Sequence, residues 1–337
     1  MQATHRQGDL RGVVAIGASA GGVEALSNLA QSLSPDLPYA FLVALHIPPS
    51  APSILARIIN RSGPLSAATA EHGTRLEPGH IYVAQPDHHL LVTDHRMVLS
   101  RGPTENGHRP AINALFRSVA LQFGPRAIAV LLSGVLDDGV LGLEAIRSRG
   151  GVTIGQTPAD ALFPAMPKNA AAAGVLDRQA RAADIGAMLE ELAQRKIEEL
   201  TLERDIAMEL ENRIAMSTPF ATNFDTQALG SASGYTCPDC NGSLTKIAMD
   251  NFRCHVGHAW SPDSLLVARD DEVQNALWIA LRSLQEKSKL ARQLAEKAGK
   301  GLVFQRYTAL ADETERALAV LGERLAAADP RLGEVGG

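Results

Sequence analysis

A doubly wound α/β domain on a mostly parallel sheet, followed by a small zinc-ribbon-like unit and a helical hairpin, is the fold class that three observations predict. First, short apolar runs at 13–16, 40–45, 81–84, 90–92, 127–132 and 152–154 alternate with helical patterns bounded by glycine or proline. Several of these runs are apolar throughout, as strands buried on both faces are, and the alternation implies βαβ units. Second, the three cysteines all fall between Cys237 and Cys254, which argues for metal binding over a disulfide framework. Third, two helical stretches near 264–297 and 303–327 carry apolar stripes, and residues 299–301 break them as a hairpin turn would.

The chain has 337 residues, 45% of them hydrophobic, and single domains usually run to about 100–200 residues, so more than one unit is expected. The expected boundaries are 12–182 for the α/β domain, 183–218 for a linker helix, 231–262 for the ribbon-like unit and 263–328 for the hairpin. The linker reading rests on Met188, Leu189, Leu192, Ile197, Leu200, Ile206 and Leu210, spaced among Glu, Lys and Arg. A net charge of −5 without any long Lys or Arg block makes nucleic acid an unexpected partner. The apolar runs are strand-sized, short of the ~20 residues of a membrane helix, and the polar first ten residues hold no signal-peptide core. A cytoplasmic protein with no direct membrane insertion is therefore expected.

Within the first domain, AIGASAGGVEAL (15–26) runs from an apolar strand through a glycine cluster into a helix. A dinucleotide-binding turn has glycine at its first, third and sixth positions, and here those positions are Gly17, Ser19 and Gly22. The Lys-Ser/Thr pair of a P-loop is missing as well. The segment does match G-x-S-x-G, a sharp strand-to-helix turn that lifts a serine hydroxyl above the sheet. An N-cap serine for the helix at 21–33 is the competing reading.

A serine hydroxyl needs a base and an orienting carboxylate to become a nucleophile. His46 ends the strand at 40–45, and Asp138 follows the strand at 127–132. Each has a plainer reading, His46 as a strand-end histidine and Asp137 or Asp138 as a helix N-cap. Together with Ser19 they fall beyond the carboxyl ends of three predicted parallel strands, where open α/β sheets bind ligands. Backbone N–H groups at the start of the helix at 21–33 are positioned to receive an oxyanion.

VVAIGASAGGVEAL, LHIPP, GHRPAINALFRSVA, LLSGVLDDGVLGLEAIRSRGG and FPAMPKNAA, in this order, resemble the catalytic domain of the chemotaxis protein-glutamate methylesterases over residues 12–189. The resemblance implies Ser19 as nucleophile, His46 as base and Asp138 as the residue that orients it. It implies hydrolysis of glutamyl methyl esters on the cytoplasmic helices of methylated chemoreceptors or related signalling proteins, with glutamine deamidation as a related activity. Catalysis would need no cofactor. Ala20 and Val135 stand where the family usually has threonine and methionine, which keeps open a second reading as a weakly active or inactive regulatory, partner-binding module. Family members typically begin with a receiver domain, and a catalytic strand that starts by Val13 leaves no room for one. His72, His80, His88, His89 and His95 lie in loop or turn contexts and read as surface or structural. His108, in the segment His108-Arg109-Pro110, reads as an entrance lining or a solvated loop.

In YTCPDCNGSLTKIAMDNFRCHVGHAW, Cys237, Cys240, Cys254 and His258 supply two ligand pairs separated by a hairpin expected to turn near Asp250-Asn251. Thiolate and imidazole suit a closed, structural Zn²⁺ site. His255 competes with His258 for the fourth position, but adjacent side chains of an extended strand diverge. A redox Cys-x-x-Cys lacks a thioredoxin-like unit around it. On the hairpin, Leu277, Leu281, Leu284, Ala291 and Leu294 would face Val303, Tyr307, Leu310, Ala317 and Leu321. That stripe serves a helical partner, the hairpin itself or a homodimer.

Overall fold

The computed structural model describes residues 10–197, 203–217, 230–247 and 250–328, and the chain divides after Leu265 into two compact units. In the first unit the strands are β1 (Gly12–Ala18), β2 (Tyr39–Leu45), β3 (Ser66–Thr69), β4 (His80–Val83), β5 (His89–Thr93), β6 (Arg96–Ser100), β7 (Ala127–Leu131), β8 (Val152–Gln156) and β9 (Arg178–Ala180). The helices are α1 (Gly22–Ser32), α2 (Leu55–Ser62), α3 (Ile112–Phe123), α4 (Val140–Ser148), α5 (Ala165–Ala172), α6 (Ile185–Gln194) and α7 (Ile206–Ala215).

Seven of the strands form one sheet in the order β3-β4-β2-β1-β7-β8-β9, with every pairing parallel. Every residue of β1 and β2 is buried, which is why their sequences show no polar alternation. Leu26, Leu29, Ile59 and Leu189 pack on one face, and Leu115, Phe116, Leu143 and Met166 on the other. The chain steps from β1 to β2 on one side and later to β7 on the other, so β1 lies at a switch point with a crevice at its carboxyl end. The apolar run at 90–92 is not part of this sheet. It belongs to β5, which pairs only with β6 as an antiparallel hairpin among the described residues. Strands β3 and β9 carry too little apolar sequence to announce themselves, and both are sheet edges.

The linker helix expected over 183–218 is instead two helices. α6 stops at Gln194, because Arg195 turns extended (φ −64, ψ 143) and its guanidinium donates to the Pro125 carbonyl. Ile185, Leu189 and Leu192 are buried in the core. α7 lies against α3, with Ile214 and Ala215 buried and the Ala215 carbonyl accepting from Ser100 Oγ at 2.6 Å. Both helices are therefore parts of the α/β unit; Leu200 falls outside the described residues. Two amphipathic helices in succession share the spacing of one long helix, and periodicity alone does not separate them.

A second sheet, antiparallel, joins β10 (Ser231–Thr236), β11 (Ser243–Lys246), β12 (Phe252–Cys254) and β13 (Ala259–Trp260) in that order. α8 (Pro262–Ala298) starts in the first unit and continues into the second, which also contains α9 (Leu302–Ala328). The second unit is an antiparallel hairpin, since Ser288 Oγ donates to Glu315 at 2.8 Å and Arg292 reaches back to Asp312 at 2.6 Å. Ala291 is buried, and Leu277, Leu281, Leu284 and Leu294 are half-buried. On α9 the buried residues are Ala311, Thr314 and Leu325, whereas Val303 and Ala317 of the expected stripe are exposed. Apolar residues recur around α9, so spacing leaves its facing side undetermined. Among the described residues no helix is long and apolar enough to cross a membrane.

Candidate active site

Ser19 follows β1 directly. Its N–H donates to the Ser133 carbonyl at 2.9 Å, and its own carbonyl accepts from Gly22 N–H at 2.9 Å, which closes the turn into α1. Gly21, at φ 70, is the N-cap residue and α1 has no side-chain cap, so the N-cap reading of Ser19 does not hold. A Cβ on Gly21 would also come within 2.7 Å of Ser133 Oγ. Among the described residues the amides of Ala20 and Gly21 have no hydrogen-bond acceptor.

His46 extends the β1–β2 ladder, its N–H donating to the Ala18 carbonyl at 3.1 Å. Its Nε2 is 2.8 Å from Asp138 Oδ2, and its Nδ1 is 3.1 Å from Ser19 Oγ. A carboxylate only accepts, so Nε2 carries the proton and the Nδ1 lone pair faces the serine hydroxyl. This is the connectivity of a Ser-His-Asp triad.

Asp138 is reached from β7 through a loop in which Leu136 takes φ 60, a conformation costly for leucine, held by Asn169 Nδ2 donating to its carbonyl at 2.8 Å. The carboxylate is buried and lies at the first turn of α3, accepting Ile112 N–H at 2.7 Å and Asn113 N–H at 3.1 Å. Gly139 is the N-cap residue of α4, so neither Asp137 nor Asp138 caps it. Asn113 Oδ1 ties the loop down by accepting from Gly139 and Gly142 amides at 3.0 and 2.8 Å. Burial opposes the charge of Asp138, but the hydrogen bond and charge of His46 and the Ile112 amide outweigh it and hold the carboxyl below its ordinary range. Burial, reinforced by Asp138 next door, pushes the Asp137 carboxyl up against the pull of two serine hydroxyls.

His108 does not lie on a solvated loop. Its ring lies on that of His46, centroids 3.7 Å apart and planes 16° from parallel. Burial, with the neighbouring His46, lowers its pKa to about 4, so it is neutral at physiological pH. His89 is buried and structural, its ring bridging the Pro103 carbonyl and the Ala111 N–H. Arg109 closes the same loop through Asp87 and the Gly102 carbonyl. Gly134 and Met166 were not legible from sequence. A Cβ on Gly134 would meet Met166 Cε at 2.5 Å and Ser19 Cβ at 2.9 Å, so the turn that carries Ser19 requires that glycine. Leu162 and Phe163 are exposed apolar side chains beside Gly21.

The second group is Cys237, Cys240, Cys254 and His258, whose ligand atoms all lie within 4.8 Å of one another. Cys240 and Cys254 sulfurs are 3.6 Å apart, and His258 Nδ1 is 3.5 Å from Cys254 Sγ and 3.7 Å from Cys237 Sγ. A tetrahedron with Zn–S bonds of about 2.3 Å has edges near 3.8 Å, so this set fits a metal ion with soft and imidazole donors. His258, not His255, completes the group. The ribbon-like sheet is packed on the α/β domain: Arg253 pairs with Glu105 and Glu211, which also pair with Arg117 of α3.

The CheB methylesterase family model matches residues 14–189. The protein-glutamate methylesterase/protein-glutamine glutaminase of Photorhabdus laumondii subsp. laumondii is 37% identical over 169 residues, covering 49% of this chain and 48% of that protein. Protein-glutamate methylesterase/protein-glutamine glutaminase 1 of Burkholderia pseudomallei is 37% identical over 177 residues, 51% of this chain and 48% of that protein. The crystal structure of the Thermotoga maritima CheB methylesterase catalytic domain matches with a TM-score of 0.52 and 29% identity, covering 54% of this chain and 98% of that one. This chain spans about half the length of the curated relatives it matches.

Proposed function

The chain belongs to the CheB methylesterase family, and from that premise we propose that it is a serine hydrolase that demethylates glutamyl methyl esters on chemoreceptor cytoplasmic helices. Deamidation of glutamine at equivalent positions is the related activity, since attack on an amide carbonyl uses the same groups. The observation that carries this reading is the continuous chain Ser19 Oγ, His46, Asp138, with links of 3.1 and 2.8 Å at the carboxyl ends of neighbouring strands.

In this mechanism Asp138, anchored by the α3 amides, accepts a hydrogen bond from His46 Nε2–H and so fixes the tautomer. His46 Nδ1 takes the Ser19 hydroxyl proton as Oγ attacks the ester carbonyl. The Ala20 and Gly21 amides, at the start of α1, receive the oxyanion. As the tetrahedral intermediate collapses, protonated His46 gives its proton to the departing methoxide oxygen, which leaves as methanol; water then attacks the acyl-enzyme with its proton passing to the same nitrogen and on to Ser19 Oγ, releasing glutamate. Leu162 and Phe163 offer apolar surface beside the acyl site.

The Cys237, Cys240, Cys254 and His258 group supports a structural Zn²⁺: four protein ligands fill a tetrahedron and leave no position for substrate. When bound, zinc would supply folding energy to a small sheet. A cytoplasmic location, where the thiols stay reduced and receptor cytoplasmic helices are accessible, accords with this reading. The test is methanol release from a methylated receptor fragment. Wild type releases methanol, and a folded Ser19→Ala protein falls by roughly 10⁶-fold in turnover. Wild-type turnover in that variant removes Ser19 as nucleophile.

A further inference from the structure

A continuous set of contacts joins the ribbon-like sheet to the proposed base, and no step of ester hydrolysis described above uses it. Its centre is the turn from Glu105 to His108, closed by Glu105 N–H donating to the His108 carbonyl at 3.2 Å and His108 N–H to the Glu105 carbonyl at 2.9 Å. Each part of the metal-ligand group has a sequence neighbour that grips this turn or its approach. Asp239, between Cys237 and Cys240, accepts from Thr104 Oγ1 at 2.6 Å. Arg253, directly before Cys254, is buried with its guanidinium 3.6 Å from Glu105. Ala259, directly after His258, accepts from Asn106 N–H at 2.7 Å and donates to the Thr104 carbonyl at 3.1 Å. Ser261 N–H then donates to Asn106 Oδ1 at 2.8 Å, and its hydroxyl to Asp137, the neighbour of Asp138, at 2.7 Å.

At the far end of the turn, the His108 ring covers one face of His46. Hydrogen bonds at Nδ1 and Nε2 restrain the two ends of the His46 imidazole but not rocking of the ring about the line between them. A second ring at van der Waals distance removes that freedom. A neutral ring does so without repelling the imidazolium that forms during proton transfer.

We propose that His108 is a positioning residue for His46, held in place by the metal-folded ribbon, so that occupancy of the Cys237, Cys240, Cys254 and His258 site sets the reactivity of Ser19. The inference rests on the hydrolase reading of Ser19 and His46, but not on the identity of the substrate. Without metal, the ribbon strands, three residues in β12 and two in β13, lose the group that ties them together. Asp239, Arg253 and Ala259 are then no longer held against the turn, and a misplacement of about 1 Å in a reacting group costs on the order of 100-fold in rate.

The test uses a fluorophosphonate on the full-length protein: Ser19 Oγ bonds phosphorus, fluoride leaves and the hydroxyl proton passes to His46 Nδ1. In the zinc-loaded protein, His108→Ala should slow labelling of Ser19 by about 10- to 100-fold, and His108→Phe, which keeps a ring on His46, should recover most of the rate. Chelation should slow the wild type about as much, leave His108→Ala nearly unchanged and raise amide exchange at residues 105–108; added Zn²⁺ should restore the wild-type labelling rate and the amide protection. Labelling of the metal-free wild type, or of His108→Ala, at the native rate overturns the proposal. If chelation also releases amide protection in β1 and β2, Asn106→Ala in the zinc-loaded protein replaces that arm and must slow labelling as His108→Ala does. A wild type that labels rapidly yet releases no methanol from methylated receptors would sink the substrate reading and leave this coupling standing.

Discussion

Asp138 Oδ2 accepts the Ile112 backbone N–H at 2.7 Å while it holds His46 Nε2 at 2.8 Å, so the amino end of α3 and the carboxylate that meets His46 form one unit. A helix N-terminus favours a negative charge, and here it helps keep a buried carboxylate ionised beside His46. An asparagine cannot replace it without turning its N–H₂ either toward the His46 and Ile112 donors or toward the Asn113 N–H.

Asp138→Asn should therefore lower turnover by on the order of 10⁴-fold by favouring the wrong tautomer of His46. It should also destabilise the fold by about 1–3 kcal/mol, because a buried donor loses its acceptor. Urea unfolding and methanol release measured on one preparation check both; a variant with native stability and native turnover would place the orienting role elsewhere.

The same carboxylate has a pH signature. Its folded-state pKa is depressed, so its contribution to stability is complete above the ordinary carboxylate range and is lost as pH falls through and below that range. His108 acts in a higher window. Its folded pKa of about 4 lies under the ordinary 6.5, so between these values the unfolded chain binds the extra proton. Stability should thus rise with pH between about 4 and 6.5, by at most about 1.4 kcal/mol per pH unit for one proton. Urea midpoints across that range should show a shallower dependence in His108→Phe than in wild type; equal slopes would mean that His108 titrates normally.

Purified protein should carry about one zinc per chain, and Cys254→Ser should lose it. Zinc binding in small structural sites is worth roughly 10–16 kcal/mol at neutral pH, enough to decide whether the ribbon-like sheet folds. Metal analysis of protein prepared under reducing conditions, with and without the substitution, reads this directly. Full zinc content in Cys254→Ser would remove Cys254 from the ligand set.

Truncations should separate the two C-terminal helical regions. A chain ending at residue 182 loses Ile185, Leu189 and Leu192 from the core and should fail to fold. A chain ending at residue 265 keeps the ribbon-like sheet and should hydrolyse a small soluble methyl ester at the full-length rate. Loss of receptor hydrolysis alone in the second chain assigns the hairpin to recruitment, whereas loss of both activities assigns it to support of the catalytic unit.

Much of the fold was legible because burial writes itself into local sequence. β1 and β2 are buried on both faces and read as unbroken apolar runs, and the Gly17, Ser19, Gly21 spacing marks the turn that follows. The linker reading failed where two helices share one periodicity, and of the α9 stripe Val303 and Ala317 are exposed while Tyr307, Leu310 and Leu321 are half-buried, because apolar residues recur on several faces of that helix. Edge strands β3 and β9 need few apolar residues and left no signal.

The sequence by itself determined the parallel sheet, the strand ends that carry Ser19, His46 and Asp138, and the two-pair spacing of Cys237, Cys240, Cys254 and His258, since each follows from residue types a few positions apart. Tertiary structure alone decided which ring nitrogen of His46 meets which partner, for His46 and Asp138 are 92 residues apart in the chain. It alone brought His108 onto His46 and set Asp239, Arg253 and Ala259 against the turn at 105–108. Those contacts depend on where distant segments return through space, and no local period or spacing encodes a return path.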